Sequence, residues 1–290
     1  MTAFDVCIVG SANLDLVTTV EHLVRPGETI LANGYEEHPG GKGLNQAVAC
    51  ARMGAATAFI GAVGQDGAGE TLMKVMESES INTEGVARPE APAGRAFISV
   101  DKAGENNIIV VPGSNALLVT GQGDDVVAKS KVVLAQLEIP IEAVIQAFRT
   151  ARQCGAITVL NPAPIRDLPE ELLRLVDYLV PNEVEAEHLG GVDHCLALGV
   201  KAVVTTRGAA GVRIFTPGGE SVIESVSVQA VDTTAAGDAF IGGLCASLAR
   251  GLALDEATRI GCAAGAISVT RKGAVPSLPT RDEVLAILSR

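Results

Sequence analysis

Short apolar runs recur along this chain with helix-like stretches between them, and that alternation restricts the fold more than any other feature. The runs lie at 6–10, 56–63, 132–137, 157–160, 178–180 and 202–205. They are short enough for strands and lack the every-second-residue polarity of a half-exposed strand. Such runs suit parallel strands covered on both faces. Between them Leu44, Ala47, Val48 and Ala51 fall at i, i+3, i+4 and i+7, with Gly54 placed to close a helix. Residues 239–248 read as a nearly all-apolar helix ended by Arg250 and Gly251, and 258–269 as a second. Strand and helix in alternation imply an α/β fold: a three-layer α/β/α sandwich around a mostly parallel sheet. Aromatic residues are 3% of the chain and Trp is absent, so this core must be packed with Val, Ile, Leu and Ala.

Two regions break the alternation. Residues 16–37 look extended with alternating polarity, and 96–111 read as a hairpin turning at Lys102-Ala103-Gly104-Glu105. Both suit a small antiparallel sheet better than the main layer. The expectation is one domain over 1–290 with a β lid formed by roughly 13–38 and 94–112.

Charge and cysteine usage exclude several classes. A formal charge of −12 without any basic run argues against nucleic acid as a partner. The cysteines at 7, 50, 154, 195, 245 and 262 form no Cys-x-x-Cys pair and sit mostly in apolar stretches, as reduced thiols in a cytosol would. His188, His194 and Cys195 are close in sequence but lack a fourth ligand at zinc-like spacing. Neither a basic apolar leader nor a run of 18 apolar residues is present, so the expectation is a cytoplasmic protein without a membrane segment.

Polar residues terminate the buried runs: Glu138, Asn161, Asn182 and Thr206. Each is an ordinary loop or cap residue by itself. Together they sit where ligands bind in open α/β sheets, beyond the carboxyl ends of strands. The stretch from Asp232 to Phe240 adds two carboxylates around a small-residue turn that opens into an apolar helix. Backbone N–H groups at such a helix start carry partial positive charge and suit a phosphate or a phosphoryl group in transfer. Asp238, in the first turn, is placed to take a proton from an attacking hydroxyl. Gly40-Gly41-Lys42-Gly43-Leu44-Asn45-Gln46 permits close backbone approach to a ligand, with Lys42 and Asn45 as added donors. Its spacing is not that of a P-loop, and Gly64-x-x-Gly67-x-Gly69 is not a dinucleotide fingerprint, which disfavours an oxidoreductase.

Taken in order, these segments resemble the ribokinase-like, phosphofructokinase-B-type sugar kinase family over nearly the whole chain. Gly10 to Asp15, Gly40 to Gln46, Gln136-Leu137-Glu138, Asn161-Pro162-Ala163-Pro164, Asn182-x-x-Glu185, Asp232 to Asp238 and Thr270 to Ala274 carry the likeness. The resemblance implies ATP-dependent phosphorylation of a sugar, with the 5-hydroxyl of D-ribose as the leading substrate. Fructose, a deoxy-sugar acid or a nucleoside are alternatives, and a non-catalytic sugar sensor is a rival of another class. It implies Asp238 as general base, with Ala235, Ala236 and Gly237 supplying N–H groups to the transferring phosphoryl. Asn13, Asp15, Gly41, Lys42, Asn45 and Glu138 would hold the sugar. Asn182, Thr206, Gly208, Gly211 and Cys262 would lie on the nucleotide side. Glu185 would reach Mg²⁺ through water. Asp232, Thr234, Ser268, Arg271, Gly273 and Ser277 would surround an activating K⁺, mostly through backbone oxygens. A homodimer through the lids is implied as well. Two departures stand out. Cys262 occupies a place where the family often has His or Asn near the adenine, and 187–200 is short for a crossover helix.

Overall fold

A computed structural model of the chain describes residues 2–289. Its strands are β1 (Phe4–Val9), β2 (Asn13–Thr19), β3 (Gly34–Gly40), β4 (Thr57–Ala62), β5 (Asn82–Ala87), β6 (Gly94–Val100), β7 (Asn106–Val111), β8 (Ser130–Ala135), β9 (Ile157–Leu160), β10 (Tyr178–Leu179), β11 (Ala202–Thr206), β12 (Val212–Thr216) and β13 (Gly219–Ile223). Its α-helices are α1 (Lys42–Arg52), α2 (Gly67–Ser78), α3 (Asp124–Val127), α4 (Ile141–Gln153), α5 (Glu170–Leu173), α6 (Glu183–His188), α7 (Val192–Ala197), α8 (Ala236–Ala249), α9 (Leu254–Ser268) and α10 (Arg281–Leu288).

Nine strands form one sheet in the order β13-β12-β11-β10-β9-β8-β1-β4-β5. Every pairing is parallel except β11 with β12 and β12 with β13. Alternate residues of β1 enter opposite cores. Val6 and Ile8 join Leu44, Phe59, Val132, Leu134 and Leu244 on one face. Cys7 and Val9 join Ile60, Val133, Val144 and Phe148 on the other. A strand buried on both sides needs apolar residues at every position, which is why these runs do not alternate in sequence. Emptying one such position, for example Phe59→Ala, costs about 3–5 kcal/mol by loss of burial and the cavity left behind.

Helices α1 and α8 lie unusually close on the first face. A methyl group added to Gly242 would fall 2.3 Å from the Ala49 side chain, so glycine is required at that crossing. This contact sets the amino-terminal turns of α1 and α8 side by side.

The second sheet has the order β3-β2-β6-β7. Its outer pairs, β2 with β3 and β6 with β7, are antiparallel, and its central pair, β2 with β6, runs parallel. The Asp101 carboxylate closes the β6–β7 turn by accepting from the N–H groups of Ala103 and Glu105 at 2.8 and 3.0 Å. Strand β2 starts a few residues after the carboxyl end of β1, which sets this sheet over the end of the main sheet where its strands terminate.

Some elements went unforeseen. Strands β5 and β13 are short and mostly polar, and the antiparallel edge strand β12 alternates, burying Val212 and Ile214 while Arg213 stays half-exposed. The short 187–200 stretch is spanned by the end of α6 and by α7, each of six residues, with Gly190 and Gly191 in the left-handed region between them.

Candidate active site

The turn before α8 is built around Ala235, at φ 58°. Left-handed backbone is unfavourable for a residue with a Cβ, by about 1–2 kcal/mol. Here it bends the chain sharply into the helix. The Asp232 carboxylate braces the turn, accepting from Thr234 N at 2.9 Å and from Gly273 N at 2.8 Å. Burial pushes the Asp232 carboxyl up, and these hydrogen bonds outweigh it and hold it below its ordinary value. The first N–H groups of α8 point out of the helix along its axis. That of Ala236 is turned back to the Thr233 carbonyl at 3.2 Å.

Asp238 follows in the first turn of α8, 8% exposed. Two amides from α1 hold its two oxygens. Asn45 Nδ2 donates to Oδ2 at 3.0 Å, and Gln46 Nε2 donates to Oδ1 at 2.8 Å. Burial pushes its carboxyl above the ordinary range, opposed by the charge of Lys42 and by these two donors, with Glu138 adding repulsion. The close α1–α8 crossing thus joins the glycine-rich loop to the Asp238 turn.

Gly41 caps α1 at φ 88°, and a Cβ there would lie 2.8 Å from Asn13 N. The loop therefore packs directly on the start of β2. Glu138 Oε2 accepts from the Lys42 N–H at 3.2 Å and from the Ser11 hydroxyl, which ties β8's loop to the same place. Asn13 is buried, and its Oδ1 accepts from Asn115 Nδ2 at 2.7 Å. Asp15 lies against Gly40, where a Cβ would sit 2.1 Å from Oδ2. Burial, then the charges of Glu138 and Asp238, push Asp15 up to about 7. Asn45 Oδ1 is buried without a hydrogen-bond partner among the described residues, an acceptor suited to a ligand hydroxyl.

Beyond Asp238 opens a cavity of about 260 Å³, lined by Lys42, Asn182, Glu185, Thr206 and residues 235–238 among others. Asn182 and Glu185 form a reciprocal capping box at α6. Asn182 Oδ1 accepts from Glu185 N, and Glu185 Oε2 accepts from Asn182 N, both at 2.8 Å. This capping box stands on the cavity wall. Burial raises the Glu185 carboxyl, offset by the Asn182 N–H and by Lys42. Thr206 ends β11, and the turn after it carries Gly208 and Gly211 in the left-handed region. A Cβ on Gly211 would strike the Ile223 carbonyl at 2.2 Å. Cys262 is buried on α9, is not among the residues lining this cavity, and has its thiol pushed up to about 11 by burial.

Beside the turn, Ser268 and Ser277 bring their hydroxyls to 2.9 Å, and Val231 and Asp232 both donate to the Val269 carbonyl. The Arg271 side chain turns to an ion pair with Glu283. Oxygen-rich loops with their arginine neutralised elsewhere fit a monovalent cation. Among the described residues no three or more His, Cys, Asp and Glu gather to hold a metal. Glu185, on the cavity wall, is an oxygen donor of the kind that Mg²⁺ takes, with waters usually completing its shell.

Sequence reasoning gave no role to Ser11, Gln46 or Asn115. Gln46 stood inside the glycine-rich segment, but its partner Asp238 is 192 residues away. Asn115 had no signal beyond a Gly-Ser-Asn cluster that reads as loop.

The chain belongs to the pfkB family of carbohydrate kinases, whose model matches residues 3–281. It is 43% identical over 297 residues to a ribokinase of Haemophilus influenzae, covering 97% of each chain. The crystal structure of ribokinase from Thermotoga maritima superposes with a TM-score of 0.92 at 38% identity, over 98% of this chain and 99% of that one. Ribokinase from Arabidopsis thaliana, complexed with ribose and ATP, superposes with a TM-score of 0.92 at 31% identity over the whole of both chains. No helix among the described residues is long and apolar enough to cross a membrane.

Proposed function

We propose that this protein is an ATP-dependent ribokinase that phosphorylates the 5-hydroxyl of D-ribose, with Asp238 as general base. The observation that carries the reading is the meeting of three parts. Asp238 is held by Asn45 and Gln46 from the glycine-rich helix, and it stands on the wall of a cavity shared with Asn182, Glu185 and Thr206.

Asn13, Asp15, Gly41, Lys42, Asn45 and Glu138 grip the sugar's hydroxyls and aim the terminal one at Asp238. Carboxylates and amide oxygens are the acceptors a polyol needs. As the 5-oxygen bonds to the γ-phosphorus, its proton passes to Asp238. The bond from phosphorus to the β–γ bridging oxygen breaks, and ADP leaves. Such transfer depends mainly on in-line placement and charge neutralisation. Ala235 and Gly237 turn backbone N–H groups toward the phosphoryl, Ala236 braces the turn through the bond of its own N–H to the Thr233 carbonyl, and the Lys42 ammonium adds positive charge.

Asn182, Thr206, Gly208 and Gly211 form the nucleotide side, while Cys262 is buried on α9 away from the cavity lining. Glu185 would hold Mg²⁺ through water, and bound Mg²⁺ neutralises phosphate charge. The backbone around Asp232, Thr234, Ser268, Arg271, Gly273 and Ser277 would hold K⁺ and stiffen the turn. The small sheet covers the sugar and excludes water, which would compete as acceptor. Its open apolar strand β7, where Ile109 is 67% exposed, pairs with a second copy to give a homodimer working in the cytoplasm.

The direct test follows phosphate from ATP to sugar by phosphorus NMR, with ribose beside fructose and a nucleoside. Ribose 5-phosphate as the dominant product is expected. Faster turnover of another sugar, or none with ribose, rejects the substrate. Light scattering of Ile109→Lys checks the assembly: a shift from dimer to monomer is expected, and an unchanged dimer rules out this surface.

A further inference from the structure

Gln46 is fully buried on α1, and its amide meets polar groups from three other parts of the chain. Nε2 donates to Asp238 Oδ1 at 2.8 Å and to Asn161 Oδ1 at 3.2 Å. Its Oε1 accepts from Gln136 Nε2. Asn161, just after β9, is fixed in turn by donating to the Val180 carbonyl at 3.1 Å. A primary amide has two protons on nitrogen and none on oxygen. Both protons here face acceptors, and the oxygen faces a donor. The reversed amide would set its oxygen against the Asp238 carboxylate, so the partners dictate a single orientation.

Gln136 is held in an unfavourable setting. Among the described residues its Oε1 is buried without a partner, and it packs so tightly on the chain that a Cβ at Gly10 would fall 2.2 Å from that atom. A buried polar atom left unpaired costs stability. The hydrogen bond that its nitrogen donates to Gln46 is what this unfavourable placement secures.

We infer that Gln46, held by Gln136 and Asn161, is a positioning residue for phosphoryl transfer: its bond to Oδ1, paired with that of Asn45 to Oδ2, fixes the plane of the Asp238 carboxylate and keeps it charged to receive the sugar's proton. This rests on Asp238 being the base. Burial alone favours a neutral carboxyl, which cannot accept a proton from the sugar. A donor on Oδ1 favours the charged form. Lys42 acts in the same direction, while Glu138 and Asp15 oppose it. Loss of Gln46 therefore raises the Asp238 pKa and moves the acid limb of turnover to higher pH.

The test measures kcat and KM for ribose across pH in Gln46→Leu, Gln46→Glu, Asp238→Asn and the Gln46→Leu/Asp238→Asn pair. In Gln46→Leu, kcat is expected to fall about 10²-fold, within the range for impaired proton transfer, with KM changed less than about threefold. The acid limb moves up. In the Asp238→Asn background the same change alters residual turnover by less than about twofold, because a residue acting through Asp238 has nothing left to act on. Gln46→Glu keeps an acceptor for Gln136 and sets a second carboxyl against Asp238. It is expected to lose at least as much turnover, with a larger upward shift, and it carries the test should Gln46→Leu not fold. Near-wild-type kcat in both Gln46 variants overturns the inference. So does an equal loss in the Asp238→Asn background, or a rise in KM with kcat unchanged. Full turnover by Asp238→Asn removes the base itself and both readings fall. A crippled Asp238→Asn beside unimpaired Gln46 variants removes the inference alone.

Discussion

Asp238 and Asp15 approach one site from two differently built regions. Asp238 opens α8, on the face of the large sheet, where α1 and α8 are in backbone-close contact and two amides bind its oxygens. Asp15 stands on β2 of the small sheet, among partly exposed neighbours, and among the described residues no protein donor reaches its carboxylate. Both are raised by burial, but only Asp238 has amide donors to oppose it, and Asp15 reaches about 7. The two carboxylates thus divide the labour. On the proposed reading, Asp238 as base would be held ready before any ligand arrives, and Asp15 would be completed by the sugar's own hydroxyls.

Substituting each carboxylate in turn challenges that contrast most severely. Asp238→Asn keeps the shape and removes the proton acceptor. Turnover should drop by about 10³-fold or more, while thermal unfolding stays near wild type. A large loss of stability without loss of turnover would invert the assignment. Asp15→Asn should act on binding instead. Losing hydrogen bonds to a charged acceptor costs about 1.5–3 kcal/mol, so ribose KM should rise roughly 10- to 100-fold with kcat less affected. A kcat effect as large as that of Asp238→Asn would abolish the distinction.

Varying pH probes the same pair more gently. Asp15 is raised to about 7, so it is protonated below that pH and a poorer acceptor. Ribose affinity should strengthen as pH rises through about 7, and Asp15→Asn should flatten that dependence in calorimetry. The linkage sign for the free protein is opposite. A raised carboxyl pKa means stability is present at low pH and lost as pH rises from the ordinary carboxylate value toward about 7. Ribose should offset that loss. A ribose affinity that weakens with rising pH would refute the role of Asp15.

A smaller change is expected at the turn. Ala235→Gly relieves left-handed backbone and raises unfolded-state entropy, leaving a net gain near 1 kcal/mol or less. A rise of a few degrees in melting temperature is expected, with turnover lowered if the strained turn aims the N–H groups. A fall in melting temperature would mean the alanine methyl has a packing role that outweighs its strain.

Much of this was legible in the sequence for a physical reason. Strands β1, β4, β8, β9 and β11 are buried on both faces, and continuous apolar runs announce that state. Helices α1, α8 and α9 announced themselves through spacing and apolarity, and small residues around 232–238 marked the turn. What stayed hidden depends on distance. The parallel β2–β6 pairing joins segments some eighty residues apart, and no local pattern encodes its direction. Gln46 and Asn115 act through partners 192 and 102 residues away, so each looked like an ordinary polar residue. The edge β12–β13 is half-exposed: Val212, Ile214 and Ile223 are buried but interrupted by polar residues, so no continuous apolar run marks it.

The decisive experiment is a crystal structure with ribose and a non-hydrolysable ATP analogue. The ribose 5-oxygen is expected within about 2.6–3.2 Å of an Asp238 carboxylate oxygen, with the γ-phosphate at the 235–237 turn. A sugar bound with that oxygen facing away from Asp238, or phosphates seated elsewhere than the α8 turn, would overturn the role of Asp238 as base.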